Sequence, residues 1–195
     1  MADARGAFAV RHVAAGRWEV LARAPGCAEA RAEVVVPQSR GLEVVPRPFE
    51  ALGGRVEFED GAPVVGAGVH AWEADEDGQR SIGQGANYGA RTDAQGRWRL
   101  ADLRPGRFLL QVQGSADVNL VHFSDNTIRS GATGLRIVVR RGATISGRVV
   151  DAEGNGVAGI ALYGRQGKDR IRGQCRSGTD GRFVVFGLPP GAFTV

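Results

Sequence analysis

Thr92-Asp93-Ala94-Gln95-Gly96-Arg97-Trp98-Arg99-Leu100-Ala101-Asp102-Leu103-Arg104-Pro105-Gly106-Arg107-Phe108-Leu109-Leu110 is the stretch whose reading decides the fold. From Gly96 an aromatic follows at +2 (Trp98), an aliphatic at +7 (Leu103), a glycine at +10 (Gly106), an aromatic at +12 (Phe108) and an aliphatic at +14 (Leu110). The same spacing occurs at Gly6, Phe8, Val13, Gly16, Trp18, Val20 and at Gly181, Phe183, Leu188, Gly191, Phe193, Val195. Self-similarity at a fixed spacing sets the architecture before any single residue does. Aromatic and aliphatic residues two apart share one face of a strand. Glycine before each strand supplies backbone freedom, and Arg104-Pro105-Gly106 and Leu188-Pro189-Pro190-Gly191 read as turns. Glycine and proline interrupt any helical period within a few residues. The spacing therefore predicts strand, turn, strand, three times.

A second block precedes the second and third copies. Gly54-Arg55-Val56 leads to Gly61, Gly66 and Val69, and Gly147-Arg148-Val149 leads to Gly154, Gly159 and Leu162. It reads as a strand, a tight turn and a second strand. Ala67, Val69 and Ala71 are expected to face inward, as are Ile160, Leu162 and Gly164. His70 and Trp72 then face the other way, with Tyr163 and Arg165 as their counterparts. The fold class expected is all-β: tandem immunoglobulin-like, transthyretin-like β-sandwich modules, one complete and two partial. The expected boundaries are 1–45 for the C-terminal part of a first module, 46–139 for a complete one built of two stacked antiparallel layers, and 140–195 for the N-terminal part of a third. The chain is thus expected to be a piece of a longer protein or a wrongly assigned reading frame, with Met1 not the start of the architecture.

Composition agrees with a turn-rich globular chain. Thirty glycines in 195 residues is roughly twice average usage, and 43% hydrophobic residues separates the chain from disordered sequences. The net charge is only +4, with arginines spread among Asp and Glu, so no nucleic-acid partner is expected. No apolar run is long enough to span a membrane, and no signal peptide opens the chain. Cys27 and Cys175 have no framework or metal-knuckle spacing.

The stretch from Thr92 to Phe108, together with Gly54-Arg55-Val56 and Gly66-Ala67-Gly68-Val69, resembles the carboxypeptidase regulatory-like domain, close to the Cna-B-type surface repeats. The resemblance covers nearly the whole chain. It departs at Thr179-Asp180, where the Thr-Asp pair slides by two positions and Gly178 stands in the place of Asp93. The resemblance implies a transthyretin-like sandwich without catalysis, found as tandem units in bacterial secreted and surface proteins or beside peptidases. It also implies an extracellular or cell-surface location, and partners among neighbouring modules of the same polypeptide, carbohydrate or another surface protein. Relatives of the Cna-B type form Lys–Asn isopeptide bonds, but Lys168 is the only lysine here, so that chemistry is not expected.

No enzyme, cofactor or metal site is expected. His12, His70 and His122 lack ligand spacing. Asp75-Glu76-Asp77-Gly78 lacks the alternating ligands of a calcium loop and reads as a hairpin turn. His122, Ser124 and Asp125 have the residue types of a hydrolase triad without a nucleophile elbow. Gly83-Gln84-Gly85 is too short to cradle a phosphate. The candidate site is an outward aromatic platform for a sugar, made of His70, Trp72 and Tyr88. Two readings follow: a structural or adhesive module, or a carbohydrate-binding accessory module of a larger enzyme.

Overall fold

The structure, a computed structural model, describes residues 3, 5–37, 41–75, 87–115, 117–166 and 170–194. It divides into two compact units, residues 1–49 and 50–195. Every regular element among the described residues is a strand.

In the first unit β1 (Gly16–Ala22) and β2 (Ala30–Val36) pair as an antiparallel ribbon. Before it, the Asp3 carboxylate accepts the backbone N–H groups of Arg5 and Ala7 and closes the turn that Gly6 completes.

The second unit begins with a sandwich of seven strands: β3 (Glu50–Phe58), β4 (Gly68–Glu73), β5 (Asn87–Arg91), β6 (Arg97–Leu103), β7 (Arg107–Gln113), β8 (Phe123–Arg129) and β9 (Leu135–Val139). One layer has the order β6-β3-β9 and the other β5-β4-β7-β8. Their inner faces meet in one core: Leu52 and Val56 of β3, Leu100 and Leu103 of β6 and Ile137 of β9 on one side, Val69, Ala71, Phe108, Leu110 and Val112 of β4 and β7 on the other. Alternation therefore works as read for Ala67, Val69 and Ala71, all buried. The protein is an all-β, β-sandwich protein.

One expectation is corrected. The β6-β3-β9 layer is not wholly antiparallel, because β9 runs parallel to β3 from the Gly54–Leu135 pair to the Phe58–Val139 pair. A hairpin forces neighbours antiparallel, but β9 returns to β3 only after five intervening strands, so the connection leaves it free to run parallel.

The chain continues with β10 (Ala143–Arg148), β11 (Ala161–Gln166), β12 (Arg170–Arg176) and β13 (Arg182–Leu188). β10 pairs with β13 and β11 with β12. The hydrogen bonds of the sandwich recur here position for position. Val56 N–H donates to Gly96 C=O and Val64 N–H to Val56 C=O; Val149 donates to Gly181 and Val157 to Val149. Ala67 N–H donates to Thr92 Oγ1 and Ile160 N–H to Ser177 Oγ, both at 2.9 Å. Arg91 reaches the Gly66 carbonyl and Arg176 the Gly159 carbonyl. Gly96 and Gly181 both need glycine twice over: each has a positive φ, and a Cβ would strike the carbonyl oxygen of Val56 or Val149.

Ile160 does not face inward as expected; it is 43% exposed. Its counterpart Ala67 lies between two complete layers. Among the described residues β11 has β12 on one side and, on the other, only the single bridge from Arg165 to Thr194.

Candidate binding surface

His70 and Trp72 stand on the outer face of the β5-β4-β7-β8 layer from β4, both half-buried. The two rings stack with centroids 5.6 Å apart and planes inclined by 25°. The His70 imidazole lies flat because two glycines flank it: a Cβ on Gly68 would come within 3.1 Å of Nε2, and one on Gly89 within 3.3 Å of Nδ1. Leu109 and Gln111 of β7 pair with Trp72 and His70 and continue this face.

Tyr88 is not part of it. Its partner across the sheet is the buried Ala71, and directly opposed residues share a face. The Tyr88 ring therefore packs inward, edge-on to Phe108 at 5.9 Å. Burial pushes its phenol above the ordinary value. The sequence platform thus reduces to a pair of rings, His70 and Trp72.

The other layer carries a feature that spacing alone did not reveal. On its outer face Arg55 of β3 is the register partner of both Arg97 on β6 and Arg136 on β9, and Gly53 partners Arg99. Glu57, 5% exposed, lies among them. Its Oε1 accepts Arg136 Nε at 2.7 Å, and its Oε2 lies 3.6 Å from Arg55 Nε. Gly53 keeps the floor low and Gly54 and Gly134 border it, leaving an open trough of about 610 Å³. A hint lay in the alternation of Arg97 and Arg99 around Trp98, but only the strand pairing brings Arg55 and Arg136 beside them.

The remaining sequence candidates stay apart. Asp125 Oδ1 accepts both the N–H and the hydroxyl of Thr127, at 2.8 and 2.7 Å, so its carboxylate closes a local turn. Ser124, the neighbouring residue, opposes Gln111 on the outer face. Desolvation by its neighbours holds the His122 imidazole below the usual value. Among the described residues no three His, Cys, Asp or Glu side chains gather into a metal-holding group. Cys27 and Cys175 are both free thiols. Glu76-Asp77-Gly78, Gly83-Gln84-Gly85 and Lys168 lie outside the described residues.

No family model matches the chain, and no curated protein does. Among solved structures it is similar to a streptococcal ancillary pilin, with 14% identity over 91% of this chain and 64% of the pilin, at a TM-score of 0.39. It is similar to the Bacillus anthracis TIE protein, with 18% identity over 80% of this chain and 29% of that one, at a TM-score of 0.35. A 9R-lipoxygenase from Cyanothece matches over 53% of this chain and 19% of its own, with 15% identity and a TM-score of 0.32. The chain spans less than two thirds of each. Resemblance at this level carries no conclusion about activity.

Proposed function

We propose that this chain is a run of β-sandwich modules of one plan, divided at 1–45, 46–139 and 140–195, and that it serves as a non-catalytic structural or adhesive part of a bacterial secreted or cell-surface protein of the carboxypeptidase regulatory-like kind. The observation that carries this reading is the junction between the second and third modules. Asn119 Nδ2 donates to the Gly142 carbonyl at 2.7 Å, while Gly187 N–H donates to Asn119 Oδ1 at 2.8 Å. Gly142 N–H returns to Asn119 C=O, and Val121 N–H to Arg140 C=O. One side chain from the second module thus grips both strands of the β10–β13 pair at the same end. The same backbone bonding pattern occurs within the first unit, with Phe49 N–H on Gly26 C=O and Ala28 N–H on Arg47 C=O. A hydrogen-bonded joint between successive modules is what a spacer or display array requires.

The test is Asn119→Ala. It removes the acceptor of a part-buried N–H, which costs about 1–3 kcal/mol. Denaturant unfolding of residues 50–195 is expected to split into two transitions, the third module melting first. Unfolding curves of variant and parent that superimpose would sink the reading.

A second reading, a carbohydrate-binding accessory module of a larger enzyme, is favoured by the stacked His70–Trp72 pair alone.

A further inference from the structure

The outer face of the β6-β3-β9 layer holds like charges in a row. Arg97, Arg55 and Arg136 are cross-strand neighbours, and Arg99 opens the next row beside Gly53. All four arginines are exposed. Strands lie about 4.8 Å apart, so the row is roughly 10 Å long. Like charges directly opposed across strands destabilise a sheet. Glu57 answers only part of this, through Arg136 and Arg55. Among the described residues Arg97 and Arg99 have no carboxylate partner. Four guanidinium groups against one carboxylate leave three positive charges in excess around the trough.

The third module shows that the arrangement is not forced by the fold. Arg148 and Arg182 occupy the places of Arg55 and Arg97 and are likewise register partners. There Asp180 lies 3.4 Å from Arg182 Nε, and its backbone carbonyl takes Arg148 Nε at 2.8 Å. In the second module the place of Asp180 is held by Gln95, which carries no charge.

We propose that this face binds a linear acidic polysaccharide, whose carboxylate or sulfate groups lie along the arginine row. The planar guanidinium fork matches such anions bidentately. The site is an open trough rather than an enclosed cavity, which suits a chain passing across it. The aromatics of these strands, Trp98 and Phe58, turn toward the core. Single-stranded nucleic acid is held by stacking its bases on aromatics, so a face of arginine, glycine and one glutamate fits a polymer held through its charges. The inference rests on the second module alone and stands whether or not the modules are coupled as proposed above.

The experiment is titration of the full chain with polygalacturonate and with dextran sulfate over a range of salt concentrations. Both are expected to bind, more weakly as salt rises. Arg97→Gln combined with Arg99→Gln is expected to weaken binding about tenfold, equivalent to 1.4 kcal/mol. Gln95→Asp should also weaken it, by giving Arg97 the partner that Arg182 has. Arg107→Gln with Arg129→Gln, on the opposite layer, should leave affinity unchanged. All these positions are exposed, so thermal melting serves as the check of folding. Absence of binding, or an equal loss in the Arg107/Arg129 pair, would overturn the proposal. So would tighter binding of single-stranded DNA than of dextran sulfate. Loss of polygalacturonate binding in Trp72→Ala, with the Arg97/Arg99 pair unaffected, would move the site to the other face and overturn it as well.

Discussion

His122 immediately precedes β8, where neighbouring atoms strip part of the water from its imidazole. Desolvation disfavours its charged form, so its pKa in the folded protein lies below the ordinary histidine value of about 6.5. The unfolded chain therefore takes up the proton first as pH falls. Stability from this group is complete above about pH 6.5 and declines as pH drops toward the folded pKa. Thermal melting is expected to fall between pH 7.5 and pH 5, and His122→Gln should flatten that decline; an identical slope in both proteins would refute the assignment. At lower pH the acids take over. The backbone N–H of Ala62 and then Arg141 hold the Asp60 carboxyl below its ordinary value, and Asn155 does the same first for Asp151. Their contribution is present above the unfolded carboxylate range and is lost in acid. Another residue-level feature escaped the spacing pattern. His12, Asp102 and Gly187 all have positive φ, 59°, 57° and 71°, at one matching position of the three copies. Glycine would have signalled it everywhere, but two copies hold the strained conformation with ordinary side chains.

At the scale of elements, a hydroxyl closes the second strand block onto the turn before β6. Thr92, 4% exposed, accepts Ala67 N–H through Oγ1 while its own backbone exchanges bonds with Gly66 and Ala67. Ser177 does this work in the third module and also donates to Val157 C=O at 2.7 Å. Thr92→Val keeps the shape and strands a buried donor, so a loss of about 1–3 kcal/mol is expected in denaturant unfolding. Thr92→Ser should retain most of the stability. A valine variant as stable as the parent would show that the hydroxyl is idle. The slide of Thr179-Asp180 also finds its reason here. Asp93 Oδ1 accepts the N–H groups of Gln95 and Arg97. With Gly178 in its place, Asp180 Oδ1 takes the N–H of Arg182 from the other side of the turn. The turn survives the substitution because the carboxylate was moved, not lost. The strands were legible from alternation, and so was the inward set of β4. The outward placement of Tyr88 failed because nothing in its own strand said which residue of β4 it would oppose.

Over the whole molecule, burial is concentrated in the second unit. The first unit exposes Phe8 at 42%, Val10 at 70% and Trp18 at 46%. These surround an open cleft of about 1220 Å³, lined also by Val20 and Leu42. The matching residues in the second module, Trp98, Leu100 and Phe108, are all buried. Large exposed apolar surface promotes association. The full chain is therefore expected to self-associate more than residues 46–139 alone, as read by sedimentation at equal concentration. Equal behaviour of the two would count against these boundaries. Periodicity and glycine placement by themselves determined that the protein is a β-sandwich and where its strands and turns fall, because side-chain alternation and positive φ are demands made within a few residues. The parallel return of β9, the inward turn of Tyr88, the grip of Asn119 and the gathering of Arg55, Arg97, Arg99 and Arg136 were decided only by tertiary structure. Each depends on which residues of distant strands come to lie opposite one another, and register across the sandwich is set by the packing of the entire core, not by any one segment.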